Sequence, residues 1–472
     1  MYDDSIAAPG LAHRAMAPEL DLITDLMGGT AAMRRAGQRW LPREANESWT
    51  AWRARLQRSV LFNGMSRTVQ ALAGRPFARP VALADANTAL SGLAESVDGA
   101  GMGIGSFASL LLRSLLTDGL VHILVDRPRK GGPPYFVPVS AAQLIGARRD
   151  PDGLSDIRIR ETHARFIGRF GEESVEAVRH IGRRDWSLWQ AGRRGWHILE
   201  KGRHDFGEVP LVTLNAAPVG FMRARPPLVD LAWLNLAHWQ SSSDQRHILH
   251  VARVPVLFGR ALQVAEGEIE IGPNRLIMAD DPAADLRFVE HSGAAIAAGR
   301  QDLIDLEDRM AVLGLDMLRH RPGETTATGR AIDAAQTHAA LNGVVQTLED
   351  GLGRAFRLAA GMMGYDGEAA GRIVISRQFP VRDDQAAEAD LLLRARLADE
   401  ISSEAFLAEI ARRGILGAAS APAPSSPSLA PKVGPGSTPR AAPGSTPGGT
   451  PGGTSGGTPT VNPGANSNTN TS

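Results

Sequence analysis

An α+β fold is predicted by three features of the chain. Runs of strand formers separated by Gly, Pro, Asn and Asp crowd residues 121–199 and return at 254–290. Apolar residues at alternating spacings of three and four mark two long helices around a small polar loop at 320–330. With 472 residues and 43% hydrophobic content, the chain can bury a core and hold more than one domain.

The first 225 residues are predicted to mix helices and strands. Helix patterns cover 17–36 and 49–72, and a third at 105–116 carries Phe107, Leu110, Leu111 and Leu115 on one stripe. The preceding Gly101-Met102-Gly103-Ile104-Gly105 misses the dinucleotide-binding spacing and has no strand running into it. It is read as a tight turn before the helix. Strand patterns follow at 121–125, 135–139 and 157–160, and a hairpin joins 186–190 to 196–199 through 191–195. The alternating Trp186, Leu188 and Trp189 pattern is read as a half-buried sheet face. A stacking platform for bases is the alternative.

A further helix opens at Pro226-Pro227, where proline suits the first turn, and runs to 251. Short strand runs then lie at 254–259, 269–272, 274–278 and 286–290. The helix over 292–319 shows Leu303, Leu306, Met310, Leu313 and Met317 on one stripe. It is stopped by His320, Arg321, Pro322 and Gly323, since proline lacks the amide donor and glycine tolerates a left-handed turn. After the loop, Leu341, Val345, Leu348, Leu352, Phe356, Ala359 and Met363 mark a very long helix. Residues 372–376 look like a strand returning to the first domain, and helix patterns cover 383–400 and 403–416. From 417 the composition collapses to Pro, Gly, Ser, Thr, Ala and Asn. Such a tail cannot repay its ordering entropy and is expected to be disordered.

Composition limits the chemistry. The absence of cysteine removes disulfides, thiolate metal sites and thiol nucleophiles, and fits a reducing cytoplasm. No apolar run approaches the ~18 residues of a membrane span, and the best stretch, 110–125, is broken by Arg113 and Asp118. The N-terminus lacks the basic and apolar blocks of a secretory signal. Only Lys130, Lys201 and Lys432 are lysines, and none lies in a phosphate-cradling loop, so a nucleotide-driven motor is excluded. Basic and acidic residues balance at 51 each, which argues against a coat that works by neutralising phosphates.

The charges are unevenly placed. Between 261 and 290 stand seven acids (Glu266, Glu268, Glu270, Asp280, Asp281, Asp285 and Glu290) against Arg275 and Arg287. Arginines crowd 148–194 instead, among them Arg148, Arg149, Arg158, Arg160, Arg165, Arg169 and Arg179. Asp244, His247 and His250 recur at spacings of three on one helix face. They could hold a divalent ion, or simply belong to a solvated helix end beside Ser241-Ser242-Ser243. No Gly-X-Ser-X-Gly elbow supports a serine nucleophile.

The order helix, β insert, helix, short loop and very long helix resembles the portal proteins of tailed bacteriophages. Closest is a branch long filed as a domain of unknown function. The shared stretches are Asp98-Gly99-Ala100-Gly101, Leu124-Val125-Asp126-Arg127-Pro128, Pro227-Leu228-Val229-Asp230-Leu231-Ala232 and Glu324-Thr325-Thr326-Ala327, over residues 20–415. The resemblance implies a portal fold: an α/β wing (1–225, with the spine helix and wing return at 331–380), stem helices (226–252 and 292–319) and a small β-rich clip (253–291). A tunnel loop (320–330), a helical crown (381–416) and the tail (417–472) complete it. It further implies a non-enzymatic ring subunit, dodecameric in that family, at a virion vertex assembled in the host bacterial cytoplasm. Its partners would be other copies of itself, the terminase large subunit, the major capsid or scaffold protein, the head-tail adaptor and double-stranded DNA passing non-specifically. No cofactor, metal or membrane is expected.

On this reading Arg321, Glu324, Thr325, Thr326 and Arg330 face DNA from the tunnel loop. Glu266, Glu268, Glu270, Asp280, Asp281 and Asp285 make an acidic clip lumen. The alternative for Arg321 and Arg330 is that they cap helix ends. The rival functions are a metal-assisted nucleic-acid enzyme using Asp244, His247 and His250, and a head-to-tail adaptor or minor capsid protein.

Overall fold

A computed structural model describes residues 5–128, 131–252, 256–260, 282–289, 294–315, 327–377, 384–398 and 400–406. The chain separates into a unit over 1–381 and a second over 382–472. Within the second, the helix Asp384–Leu397 matches the first of the two helix patterns expected after 381. The tail lies outside the described residues.

The first unit opens with helices α1 (Leu11–Met27) and α2 (Gly29–Ala36), so the predicted 17–36 helix starts earlier and divides at Gly28. A second division corrects the 49–72 helix into α3 (Trp49–Arg58) and α4 (Gly64–Gly74). The reason is local capping. The Ser48 hydroxyl accepts from the Ala51 amide to start α3, and the Asn63 side chain accepts from the Ser66 amide to start α4. A short strand β1 (Ala82–Ala84) and helix α5 (Thr88–Glu95) lead to α6 (Ile104–Asp118), which ends at Gly119 in the left-handed region, φ +72°.

Two sheets follow. Strands β2 (Leu120–Asp126) and β3 (Tyr135–Ser140) join the later β9 (Leu211–Asn215) in the order β3-β2-β9. Strands β4 (Leu144–Asp150), β5 (Gly153–Ile167), β6 (Gly171–Gly182), β7 (Asp185–Gly192) and β8 (Gly195–Arg203) form an antiparallel meander in sequence order. The expected hairpin is β7–β8, tighter than predicted. The pair Gly192 and Gly195 closes it, with Gly195 at φ +105°. Leu188 is buried and Trp186 packs against the sheet core, so that face is half-buried as expected.

Alternation along β2 divides the interior. Val121, Ile123 and Val125 face the main core, built from Leu22 and Leu26 of α1, Met65 and Val69 of α4, and Phe107 and Leu111 of α6. Leu124 faces the second cluster with Val139, Leu144, Ile157, Ile159 and Ile181. His122 also lies on that face, fully buried. Its Nδ1 pairs with the Thr213 hydroxyl at 2.9 Å and its Nε2 has no partner. Burial pushes this imidazole down to about 3, because the cation loses its hydration there.

The chain leaves this core through short strands β10 (Pro218–Gly220) and β11 (Arg223–Ala224) and returns after a helical excursion. The strand expected at 372–376 is present as β14 (Arg372–Val374) and pairs antiparallel with β1, as predicted for a return to the first domain. Gly371 makes this possible: a Cβ there would lie 2.2 Å from the Ala84 carbonyl.

Candidate stem and channel elements

The excursion begins with α7 (Val229–Ala252), which starts three residues after Pro226 because Pro226–Leu228 form a turn closed by the Val229 amide on the Pro226 carbonyl. A two-stranded insert follows, β12 (Val256–Arg260) against β13 (Asp285–Val289). Helix α8 (Ala294–Met310) then continues into a wider π-type turn, Ala311–Leu315. The long α9 spans Ala327–Met362.

Helices α7 and α8 lie antiparallel, held by polar links at matched depths. His238 meets Glu307 at 3.3 Å, the Ser241 hydroxyl donates to Asp302, and the Gln245 amide donates to the Ile296 carbonyl at 2.9 Å. Gly299 allows the close approach, since a Cβ there would sit 2.2 Å from the Gln245 side chain. Both helices are rooted in the main core. Trp239 and Leu231 of α7 are buried, as is Met310 of α8.

Helix α9 is rooted more deeply. Val345, Leu348, Leu352, Phe356 and Ala359 are all fully buried, on the stripe the spacing predicted. Phe356 meets Phe136 of β3 edge-on at 5.2 Å, and Phe136 in turn meets Phe107 of α6 at 6.0 Å.

A buried cation that the sequence reading did not single out ties α3 to α7. Arg55 is 4% exposed and donates twice to Glu47 at 2.8 Å, once to the Pro42 carbonyl at 2.8 Å and once to Asp244 at 3.2 Å. The Arg55 bond holds the Glu47 carboxyl below its usual range, and Glu47 raises the guanidinium in turn. The Ser59 hydroxyl donates to Ser243 nearby at 2.8 Å. The signal for this cluster lay in the polar Ser241-Ser242-Ser243 run, which faces a partner rather than solvent: Ser242 and Ser243 are buried.

That network also accounts for the candidate metal triad. Asp244 is engaged by Arg55, and the Arg58 guanidinium donates to His247 Nδ1 at 3.4 Å. His250, one turn further, is exposed. Among the described residues, no three His, Asp or Glu side chains converge as a metal site.

The expected channel residues are placed only in part. Arg321, Glu324, Thr325 and Thr326 lie outside the described residues, as do Glu266, Glu268, Glu270, Asp280 and Asp281. Arg330 belongs to the first turn of α9. Asp285 is exposed and opens β13 directly opposite Arg260 of β12. No described helix is long and apolar enough to cross a membrane.

Residues 227–363, the segment holding α7, the insert, α8 and α9, match the model of a family described as Domain of unknown function (DUF4055). Among solved structures, similarity is found to a chain of the neck of an empty GTA particle with C6 symmetry. It has 16% identity and a TM-score of 0.42 over 74% of this chain and 88% of that chain. A chain of the virion of the native gene transfer agent (GTA) particle shows 14% identity and a TM-score of 0.40, over 72% and 86%. The neck of the native GTA particle with C12 symmetry shows 16% identity and a TM-score of 0.39, over 73% and 88%. No curated protein matches.

Proposed function

We propose that this chain is a portal subunit, one of a ring that occupies a single vertex of a phage capsid or phage-like particle. The observation that carries the reading is the excursion itself. An antiparallel helix pair leaves a mixed core, bears a β insert between its members, and leads into a 36-residue helix that re-enters the core. Such a pair has the form of a channel wall segment: the 24 residues of α7 span about 36 Å at 1.5 Å per residue. The role is mechanical and organisational, with no catalytic step. DNA is driven through the ring by a separate terminase, whose large subunit docks on the clip; capsid or scaffold protein surrounds the wing; the head-tail adaptor follows.

In this reading the clip acids Glu266, Glu268, Glu270, Asp280, Asp281 and Asp285 repel the phosphate backbone, and DNA contacts concentrate at the tunnel loop. A conduit must not hold its cargo, because each arginine bonded to phosphate adds a well the motor must climb out of. For the metal-assisted alternative, Asp244 would have to exchange its 3.2 Å bond from Arg55 for an ion.

Negative-stain imaging of the purified full chain should show rings with a central hole, twelve subunits in the particle. A population of compact monomers without rings at any concentration would sink the reading. Within assembled particles, the Arg321→Ala/Arg330→Ala double variant should keep its rings and lose packaged DNA. Packaging at the wild-type level would make the loop a passive connector.

A further inference from the structure

One part of the wing has no evident role within the chain. Strand β4 pairs with β5 only as far as Ile159, and β7 pairs with β6 only from Ala177. Beyond these points β5 and β6 pair with each other alone, up to Ile167 and Gly171. The result is a two-stranded ribbon from the Thr162–Glu176 pair to the Ile167–Gly171 pair, about 20 Å long at ~3.3 Å per residue. Every residue from 164 to 174 is exposed. At its tip Phe166 is 74%, Ile167 54% and Phe170 85% exposed. Three large apolar side chains stand mostly in water at the end of a bare ribbon, and such a patch marks an interaction site.

A groove of about 940 Å³ lies at the other end of the same strand, where Gly153 and Leu154 begin β5. Its floor includes Val212, Leu358 and Met362. Its rim carries Arg127, Arg149, Arg354 and Arg357 against two acids, Asp205 and Glu208. The ribbon has the complementary character. Glu172 and Glu176 share one face of β6 behind the apolar tip and have no ion-pair partner among the described residues. Of the tip's own bases, Arg165 is held by Glu173 and Arg169 lies over the Phe170 ring at 5.0 Å.

We propose that the Phe166–Ile167–Phe170 tip of one subunit inserts into the Val212–Leu358–Met362 groove of a second copy of this chain. There Glu172 and Glu176 meet the arginine rim. A chain cannot fill its own groove, because tip and groove stand at opposite ends of a 15-residue strand, about 50 Å apart when extended. The contact is therefore head-to-tail, the kind that propagates and closes into a ring when its rotation allows. It deepens the ring reading and rests on it for closure.

The chain has no cysteine, so engineered thiols report without background. The double variant Arg169→Cys/Gly361→Cys keeps the apolar anchors and places one thiol at the tip and one in the groove lining. Assembled and then oxidised, it should run on a denaturing gel as a ladder of covalent multimers. Arg169→Cys or Gly361→Cys alone should stay single. Separately, Phe166→Ser/Phe170→Ser should weaken self-association about tenfold or more. The thermal midpoint of the dissociated subunit should stay that of wild type. Rings that persist in the serine variant and fail to cross-link in the cysteine variant would overturn the contact while leaving the ring reading intact. A wild-type chain that stays monomeric at every concentration would overturn both.

Discussion

Replacing Phe356 by alanine should destabilise the first unit by about 3–5 kcal/mol, the range for deleting a fully buried phenyl ring from a packed core. The expected size follows from position. Phe356 is the point where the long helix α9 meets β3 and, through Phe136, the helix α6, so neighbours on three elements would border the cavity. Phe356→Leu, which keeps most of the volume, should cost much less, under about 1.5 kcal/mol. Urea unfolding at fixed protein concentration is the measurement, with the midpoint falling at an unchanged slope. A loss below about 1 kcal/mol for the alanine variant would mean that α9 does not seal this core. Ring formation would then lack the rigid root that the proposed function assigns to it.

Arg55→Ala should be nearly as damaging, at about 3–5 kcal/mol, because it leaves the Glu47 carboxylate, 9% exposed, without its cation. Asp244 adds little to this figure. Its side chain is 59% exposed and water replaces the lost partner. Arg55→Lys should fall between, since an ammonium keeps the charge but not the paired donors that Glu47 accepts. The effect has a defined pH dependence. Glu47 is a carboxylate whose proton affinity is lowered by folding, from an ordinary value of 4.5. Its contribution is therefore complete above that value and is lost as pH falls through the lower folded one. The gap between wild type and Arg55→Ala should narrow in acid.

Both proteins should also share a second acid loss. His122 stays neutral in the fold until about 3 whereas the unfolded chain takes up its proton near 6.5, so stability falls as pH drops through that window. Equal stability of wild type and Arg55→Ala at neutral pH would refute the pairing. A gap that widens on acidification would refute its electrostatic origin.

The parts most legible in the sequence were those where one face of an element is buried and the other is not. The α9 stripe from Leu341 to Ala359 is core, residue for residue, and the return strand at 372–374 pairs with β1 as its apolar run implied. Breaks in helices were less legible. The division at Gly28 comes with a left-handed Gly29, φ +72°, and the one at Ser59–Asn63 depends on caps and on a neighbour. The Met65 amide bonds to Asn235 of α7, 170 residues away.

The outer half of the β5–β6 ribbon was missed for a different reason. Both of its faces are exposed, so Arg165, Arg169, Glu172 and Glu173 show no alternation for a period-two pattern to detect. Asp244 and His247, which the sequence offered as ion ligands or as a solvated helix end, have protein partners instead. Their spacing of three on one helix face was real, but the cations facing them are two arginines of another helix, Arg55 for Asp244 and Arg58 for His247.

Composition and periodicity alone determined the α+β class, the order of helix, insert, helix and long helix, and the absence of thiol chemistry. These are properties of a residue and its near neighbours, set by side-chain type and by periods of 2 and 3.6. Only the tertiary structure decided which polar residues are committed to one another, where the meander overruns its neighbours, and that an apolar tip and an arginine-rimmed groove stand at opposite ends of one strand. Such facts depend on distances between segments far apart in sequence. A one-dimensional pattern does not encode them, because either side of an element can face a partner or water with the same local spacing.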